Sequence, residues 1–349
     1  MSPVRAAPGM GVGSSVEQYT ILDPISIQGR LGDLFRARDT KTGRTVALRV
    51  VRDEIAGDPA RRAALLEDAR AAGGLSHPHI AALFDAGEQD GLLYLVHEYV
   101  PGQPLSALLA RGPLEIDLAL DLALQIADAL AHIHRHGLLF RALSPAAVLV
   151  TPRDQVKLLD VGLAAWTNAL RSRLGEPPEF GAGQERHDEG VAPAEAPASY
   201  ISPEEALGEE PPDPRSDLFS LGVLLYQMVT GRLPFAGGSD AGTALKILRA
   251  TPPAPSSLNP ALPLGLDAVV SQLLRKSLDA RWRDAQKLVR ELRRLREAAA
   301  TPQAAARDQP ARPRAPAVPP PRRGTLRGWI LASILLALGA AAAAWWTLP

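Results

Sequence analysis

The chain has 349 residues, of which 46% are hydrophobic and 22% charged, and its 38 basic and 38 acidic side chains give a formal net charge of zero. This composition is typical of a globular protein with one or two domains, and zero net charge argues against a nucleic-acid-binding protein that depends on overall charge. The absence of cysteine excludes disulfides, thiol catalysis, cysteine-ligated zinc and iron–sulfur clusters.

The N-terminal part of the chain is predicted to be flexible at first and then rich in β-strands. Residues 1–18 are mostly small or polar and contain no apolar run long enough for a signal peptide. The alternating pattern of residues 45–51 (TVALRVV) predicts a strand. We therefore expect a β-rich lobe over residues 19–100.

Helical patterns dominate the next two hundred residues. An apolar stripe at helical spacing runs from Leu118 to Ile133, and Gly137 is expected to end that helix. Residues 218–228 are apolar on all sides, as in a helix buried in a large core. The sequence thus predicts an α+β protein whose second lobe, residues 101–298, is helical.

The C-terminal segment predicts a linker and a membrane span. Residues 299–328 are rich in Pro, Ala and Arg, a composition that favours an extended linker. Residues 329–348 carry no charge and are long enough for a transmembrane helix, with Trp at both ends. The alternative is an Ala-rich helix that packs on the folded part. Because Arg322, Arg323 and Arg327 precede the span, we expect a single-pass tail anchor in the cytoplasmic membrane, with the folded part in the cytoplasm.

Several spaced segments carry a family resemblance. In chain order they are residues 27–34 (IQGRLGDL), 46–49 (VALR), 95–100 (LVHEYV), 140–147 (FRALSPAA), 159–162 (LDVG), 202–204 (SPE), 215–222 (RSDLFSLG) and 279–282 (DARW). Read together, they resemble the glycine-rich loop, the lysine strand, the hinge, the catalytic loop and the later motifs of the bacterial Ser/Thr protein kinase family. The resemblance implies a two-lobed kinase-like domain over residues 19–298.

The resemblance also implies a nucleotide site between the lobes, for ATP with Mg²⁺ bound weakly or not at all. Seven positions match the family's nucleotide-contacting residues: Gly29, Gly32, Leu34, Ala47, Arg49, Glu98 and Val100. Arg49 stands where the family has its phosphate-binding lysine. An arginine keeps the charge but is bulkier than lysine. Because 33 of the 38 basic residues are arginine (the other five are lysine), this change also fits a bias of composition.

The catalytic-loop segment matches the family motif without its reactive side chains. Ala142 occupies the position of the catalytic base, Ser144 that of the lysine and Ala147 that of the metal-binding asparagine. No other acidic residue lies within this loop, and a positioned base contributes roughly 10²–10⁴-fold to the rate. The sequence therefore predicts that no catalytic residue of this loop is retained.

Other family positions persist. Asp160 matches the metal-binding aspartate, and it either binds a metal weakly or caps a turn. Structural positions are matched by Asp68, the helix residue expected to pair with Arg49, by Asp217, expected to anchor the catalytic loop, and by Glu204 and Arg281, expected to form a buried ion pair. The spacing of His132, His134 and His136 is compatible with a metal site, but solvated histidines at a helix end are the favoured interpretation.

These losses favour a membrane-anchored pseudokinase that acts as a scaffold or allosteric regulator in Ser/Thr kinase signalling. Its expected protein partner is an active kinase or the substrate of one. One alternative is a weakly active kinase that uses Glu185, Asp188 or Glu189 in place of the base. A second is a switch that binds ATP without using it. The sequence does not fix the oligomeric state.

Overall fold

The structure, a computed structural model, describes residues 10–25, 31–52, 59–141, 143–163, 197–208, 213–263 and 265–307. Its N-terminal lobe is a six-stranded antiparallel sheet in the order β1-β2-β3-β4-β6-β5. The strands are β1 (Ser15–Val16), β2 (Tyr19–Pro24), β3 (Gly32–Asp39), β4 (Thr45–Val51), β5 (Leu83–Gln89) and β6 (Leu92–Glu98).

The register of this sheet decides which side chains meet. Arg49 of β4 lies opposite Leu34 of β3, and Ala47 lies opposite His97 of β6. Side chains alternate between the two faces of a strand, and directly opposite residues share a face. Leu34, Ala47, Arg49 and His97 therefore project from one face, while Leu48 and its neighbours pack into an apolar core on the other.

A helix, α1 (Pro59–Gly73), packs against the sheet beside β5. It buries Leu65, Ala69 and Ala72. Leu65 and Ala69 belong to an apolar cluster with residues of β4 and β6, and Leu163 of the second lobe joins the same cluster. The helix is therefore held mainly by small and branched apolar side chains.

The second lobe is helical, as the sequence predicts, apart from a three-stranded sheet of β7 (Gln103–Pro104), β8 (Val148–Val150) and β9 (Val156–Leu158). Its helices are α2 (Leu105–Leu109), α3 (Ile116–Arg135), α4 (Pro203–Leu207), α5 (Pro214–Thr230), α6 (Asp240–Arg249), α7 (Pro255–Leu258), α8 (Leu266–Leu273) and α9 (Ala285–Arg307). One-turn 3₁₀ helices occupy Pro145–Ala147, Pro197–Tyr200 and Leu278–Ala280.

Helix α5 is the centre of this lobe, and the prediction that it is buried on all sides is confirmed. Fourteen of its 17 residues are buried. Asp213 caps its first turn, Pro214 begins it, and Gly231 ends it in the left-handed conformation with φ 69°. Helix α3 crosses it along the predicted apolar face and ends before Gly137, whose φ is 71°. These two helices carry the elements that reach the cleft.

The folded part differs from the prediction at both ends. Strand β1 adds residues 15–16 to the sheet through pairing with β2, inside the segment expected to be flexible. Helix α9 continues to Arg307, into the predicted extended linker, because residues 298–306 include six alanines, the residue with the highest helix propensity. In the described part of the chain no helix is long and apolar enough to cross a membrane. The predicted span, residues 329–348, lies outside the described residues.

Candidate functional site

A cleft between the two lobes brings together most of the predicted nucleotide-contacting residues. Leu34 and Ala47, on the sheet of the N-terminal lobe, line one side of the cleft, and Leu149 of β8 lines it from the second lobe. Glu98 and Val100 line the segment that joins the lobes, and Arg49 stands at the back. Five of the seven predicted positions therefore line one cleft.

The two predicted glycines behave differently from these five residues. Gly29 lies outside the described residues. Gly32 does not line the cleft. A Cβ at Gly32 would lie 1.8 Å from the carbonyl oxygen of Val50, so glycine is required there for the close approach of β3 to β4. The structure thus gives Gly32 a role in sheet packing.

Arg49 pairs with Asp160 across the cleft. Its Nη2 atom donates to the two carboxylate oxygens of Asp160 at 3.1 and 3.0 Å. The arginine side chain is buried, whereas 26% of the Asp160 side chain is exposed. Asp160 adopts a left-handed backbone conformation with φ 56°, which aspartate tolerates better than most residues. The pair joins strand β4 of the first lobe to the second lobe.

The prediction that Asp68 pairs with Arg49 is wrong. Asp68 lies on the exposed face of α1, because the helix turns Leu65, Ala69 and Ala72 inward. The acidic side chain at this position is also short. Arg49 is buried in the sheet and reaches Asp160 instead.

The back of the cleft contains buried polar atoms that lack partners. Nε and Nη1 of Arg49 and Nε2 of His97 are inaccessible and have no hydrogen-bond partner among the described residues. His97 Nε2 lies 3.9 Å from Oδ1 of Asp160, beyond hydrogen-bonding distance. Burial lowers the pKa of His97 to about 4, with Asp160 opposing this shift and Arg49 adding to it. His97 is therefore neutral at neutral pH.

His97 was missed by the sequence analysis, although a signal was present. It is a polar residue in an otherwise apolar strand, directly before the predicted hinge residue Glu98. The carboxylate of Glu98 is itself paired, at 2.8 Å, with Nζ of Lys157 on β9. A polar residue at the end of a buried strand is a reason to look for a pocket at that point.

The catalytic-loop segment sits beside Asp160 but carries no metal-binding side chain where it is described. The carbonyl of Ala147 accepts a hydrogen bond from the backbone N–H of Leu159 at 2.9 Å, and the carbonyl of Ser144 accepts one from that of Ala147 at 3.0 Å. The backbone of Ala147 is therefore paired with Leu159, the residue before Asp160. Ala142 lies outside the described residues.

These residues do not fit Mg²⁺. The ion demands oxygen ligands in near-octahedral geometry. Both oxygens of Asp160 already accept from Arg49, and Ala147 offers no side-chain oxygen. Within the described ranges, no group of three or more His, Cys, Asp or Glu side chains is placed to hold a metal ion.

Asp217 anchors the catalytic-loop segment from α5, as predicted. Its carboxylate accepts hydrogen bonds from the backbone N–H groups of Phe140 and Arg141 at 2.9 and 2.8 Å. It also lies 2.8 Å from Nε2 of His134. The prediction that His134 is merely solvated is therefore wrong, because this half-buried ring holds the anchor. A histidine cannot be distinguished from its solvated neighbours by sequence spacing alone.

His132 and His136 are close together, but within the described part of the chain they belong to no group of three or more side chains placed to hold a metal ion. Their ring centroids are 4.4 Å apart, and the ring of His77, from the loop after α1, lies 5.0 Å from that of His132. Asp128 pairs with His77 at 3.2 Å. The ring separations are those of packed aromatic groups.

The predicted ion pair between Glu204 and Arg281 is confirmed. Nη1 and Nη2 of Arg281 donate to the two carboxylate oxygens at 2.7 and 3.0 Å. Both side chains are buried, and Ser216 donates to the same carboxylate. Burial opposes ionisation, but the hydrogen bonds from Arg281 and Ser216 hold the pKa of Glu204 below its usual value.

Comparison with known proteins identifies relatives of the whole folded part. The family model described as the protein kinase domain matches residues 27–291. A probable serine/threonine-protein kinase of Streptomyces coelicolor is 35% identical over 272 residues, which cover 76% of this chain and 38% of that protein. PknB of Mycolicibacterium smegmatis is 32% identical over 274 residues, covering 77% and 41%. The chain thus spans less than half the length of these two relatives.

PknA of Mycobacterium tuberculosis is a third curated relative, 34% identical over 303 residues, which cover 83% of this chain and 66% of that protein. Solved structures agree on the fold. A crystal structure of the Mycobacterium tuberculosis PknI kinase domain gives a TM-score of 0.63 at 24% identity and covers 82% of this chain and 99% of that one. The expected fold, a β-sheet N-lobe and a helical C-lobe, is confirmed.

Proposed function

The chain belongs to the bacterial Ser/Thr protein kinase domain family, and we propose that it is a degenerate member that does not transfer phosphate. It acts as a membrane-anchored scaffold or allosteric regulator of an active kinase or of that kinase's substrate. The observation that carries the proposal is that the carboxylate of Asp160 is engaged by Arg49, while Ala147, whose backbone pairs with Leu159, offers no side-chain ligand.

The chemistry of phosphoryl transfer supports this proposal. Protein kinases position the transferred phosphate with two metal ions, held by an aspartate and an asparagine, and orient the attacking hydroxyl with an aspartate base. In this chain Ala142 replaces the base and Ala147 the asparagine. An alanine methyl group neither accepts a proton nor binds a cation, so two requirements of the reaction, the base and the second metal ligand, are unmet at once.

Retention of the scaffold also supports it. Asp217 still holds the catalytic-loop segment through two backbone N–H groups and contacts His134 of α3, and Glu204 still pairs with Arg281. Breaking a buried ion pair costs about 3–5 kcal/mol, so these contacts keep the two-lobed surface intact after the chemistry is lost. An intact surface without catalysis suits a protein whose role is to bind another protein.

The membrane part of the proposal rests on the uncharged residues 329–348 and the arginines before them. A tether confines the kinase-like domain to the membrane, where binding to another membrane-bound protein becomes effectively intramolecular. The effective concentration for such linked binding reaches the millimolar range with short linkers. Weak contacts between this domain and a membrane-bound kinase therefore suffice for regulation.

A phosphotransfer assay tests the proposal. The full chain is incubated with radiolabelled ATP, Mg²⁺ or Mn²⁺, and a mixture of Ser- and Thr-containing peptides. We expect no more incorporation than with Asp160→Ala. A variant with Ala142→Asp, Ser144→Lys, Ala147→Asn and Arg49→Lys restores the missing groups and serves as a positive control.

Turnover by the unmodified chain that disappears in Asp160→Ala would contradict the proposal. The matched control is Asp279→Ala, since that side chain is 97% exposed and distant from the cleft in sequence. It should leave any true signal unchanged. The acids that would then be tested as substitute bases, Glu185, Asp188 and Glu189, lie outside the described residues.

A second candidate is a switch that binds ATP without using it. It is favoured by the apolar walls of Leu34 and Ala47 and by the charge of Arg49 at the back of the same cleft. This function predicts a rise in melting temperature with ATP, and Arg49→Ala should abolish that rise.

A further inference from the structure

Most of the hydrogen-bonding capacity of Arg49 is unused. A guanidinium offers five donors in a planar fork that matches carboxylate or phosphate oxygens. In this chain only Nη2 is engaged, by Asp160, whereas Nε and Nη1 are buried without an acceptor in the described part of the protein. The residue is only 2% exposed, so water does not replace the missing acceptor. Buried charged donors without acceptors raise the free energy of the folded protein. A ligand that accepts hydrogen bonds from them is therefore bound more tightly.

The surroundings of Arg49 favour an anion. His97, 5% exposed, adds a third unpartnered nitrogen, Nε2, to the same cleft. The other carboxylate that lines the cleft, that of Glu98, is neutralised by Lys157 at 2.8 Å. Among the described residues that line the cleft, Asp160 is therefore the one carboxylate that competes with a ligand for Arg49, and its side chain is exposed enough to move into water.

The described residues around Asp160 do not form a site for a divalent cation. Mg²⁺ bridging would need an oxygen ligand from residue 147, which is alanine, and a free carboxylate at Asp160, which Arg49 holds. A cation at Asp160 would also lie beside the guanidinium and be repelled by it. Any phosphate that enters the cleft must therefore be recognised by the protein directly.

We infer that the cleft binds the polyphosphate tail of a free nucleotide directly on Arg49, without a divalent cation. The inference rests on the proposed function, because a chain that transferred phosphate would need the metal. The anion displaces Asp160 from Nη2, which frees the Arg49 side chain to turn Nε and Nη1, inaccessible in the free cleft, toward the anion. Leu34 and Ala47 supply the apolar wall against which the planar nucleobase of the nucleotide packs. Mg²⁺ weakens binding, because it occupies the phosphate oxygens that Arg49 needs.

Titration calorimetry on the full chain tests this, with ATP, ADP, tripolyphosphate and adenosine as probes, each in EDTA and in Mg²⁺. We expect ATP and tripolyphosphate to bind in EDTA, with ATP affinity reduced about 3-fold or more by Mg²⁺. Arg49→Gln should weaken ATP binding by at least about 10-fold, as expected for loss of a charge-assisted bidentate contact. Arg44→Gln is the matched control, because Arg44 precedes the same strand and is exposed.

Asp160→Asn separates this inference from metal-dependent binding, and it keeps the test decisive if Arg49→Gln does not fold. A metal-dependent site predicts that Asp160→Asn weakens binding. Direct recognition by Arg49 predicts unchanged or tighter binding, by up to about 10-fold, since a competing negative charge is removed. Binding that requires Mg²⁺, that is lost in Asp160→Asn, or that is as strong for adenosine as for ATP would overturn the inference. So would the absence of binding at millimolar ATP. Phosphate transfer in the radiolabel assay would overturn the proposed function, whereas a requirement for Mg²⁺ here would overturn only this inference.

Discussion

Two buried arginine–carboxylate pairs in this chain differ in how completely they are satisfied. Arg281 pairs bidentately with Glu204, and its remaining donors reach the backbone carbonyls of Arg275, Arg215 and Lys276 at 3.1, 2.8 and 3.3 Å. Arg49 pairs with Asp160 through Nη2 alone and leaves Nε and Nη1 without partners in the described residues. Both guanidinium groups are almost completely buried.

The difference shows which pair belongs to the scaffold. A buried charge is tolerated when its hydrogen bonds are complete, and removal of one partner then costs several kcal/mol. A buried charge with incomplete hydrogen bonds contributes little to stability. Arg281 is a structural residue by this criterion, whereas the incomplete hydrogen bonding of Arg49 supports the proposed role of Arg49 in binding.

The largest effect expected from this comparison is on Arg281. Arg281→Gln leaves the Glu204 carboxylate buried beside Ser216 without its cation, and we expect a loss of about 3–5 kcal/mol in the free energy of unfolding. Urea denaturation of the two proteins measures it. Arg294→Gln is the control, because that side chain is 78% exposed and pairs with Glu291 only at the surface. It should cost less than about 1 kcal/mol. Equal losses of unfolding free energy in the two variants would show that the Glu204–Arg281 pair does not stabilise the fold.

A smaller loss is expected at the anchor of the catalytic loop. Asp217→Asn turns one acceptor oxygen into a donor facing Phe140 N–H, Arg141 N–H or His134, and hydrogen bonds to a charged group contribute about 1.5–3 kcal/mol. We expect a destabilisation of about 2 kcal/mol and faster amide exchange at Phe140 and Arg141. Denaturation together with hydrogen exchange checks both. Unchanged exchange at these two amides would mean that the anchor does not hold the loop.

The scaffold could be predicted from the sequence because its partners are fixed by motif position. Glu204, Arg281 and Asp217 each belong to a motif whose role is tied to one contact, and those contacts formed as expected. The helical lobe and the buried α5 followed from apolar periodicity, a local property. Positions of this kind need little knowledge of the surrounding packing.

The cleft could be predicted only in part, because its details depend on how the two lobes pack. Asp68 and Asp160 are both acidic candidates for Arg49, and the rotation of α1, decided by Leu65 and Ala69, selects between them. The unpartnered atoms of Arg49 and His97 are absences of contacts, which no sequence pattern records. The loop glycine Gly29 and the base position, Ala142, remain sequence-based expectations.

The sharpest test of the comparison is to replace the arginine of each pair by methionine. The smallest effect on stability is expected at Arg49. Arg49→Met removes a buried charge with two unmet donors, and Asp160, 26% exposed, can be hydrated once its partner is gone. Removal of one partner costs about 3–5 kcal/mol when the charge left behind is buried. Because Asp160 reaches water, we expect a much smaller change in unfolding free energy, within about 1 kcal/mol in either direction. Arg281→Met, with Glu204 only 7% exposed, should lose about 3 kcal/mol or more.

Denaturation of the two methionine variants side by side measures this difference, and ATP titration in EDTA provides the second readout. Arg49→Met should keep the fold and lose the ligand, whereas Arg281→Met should lose stability and, where it remains folded, keep the ligand. A loss at Arg49 as large as that at Arg281 would make both pairs structural. The unmet donors of Arg49 would then be a cost that the fold carries without a binding function.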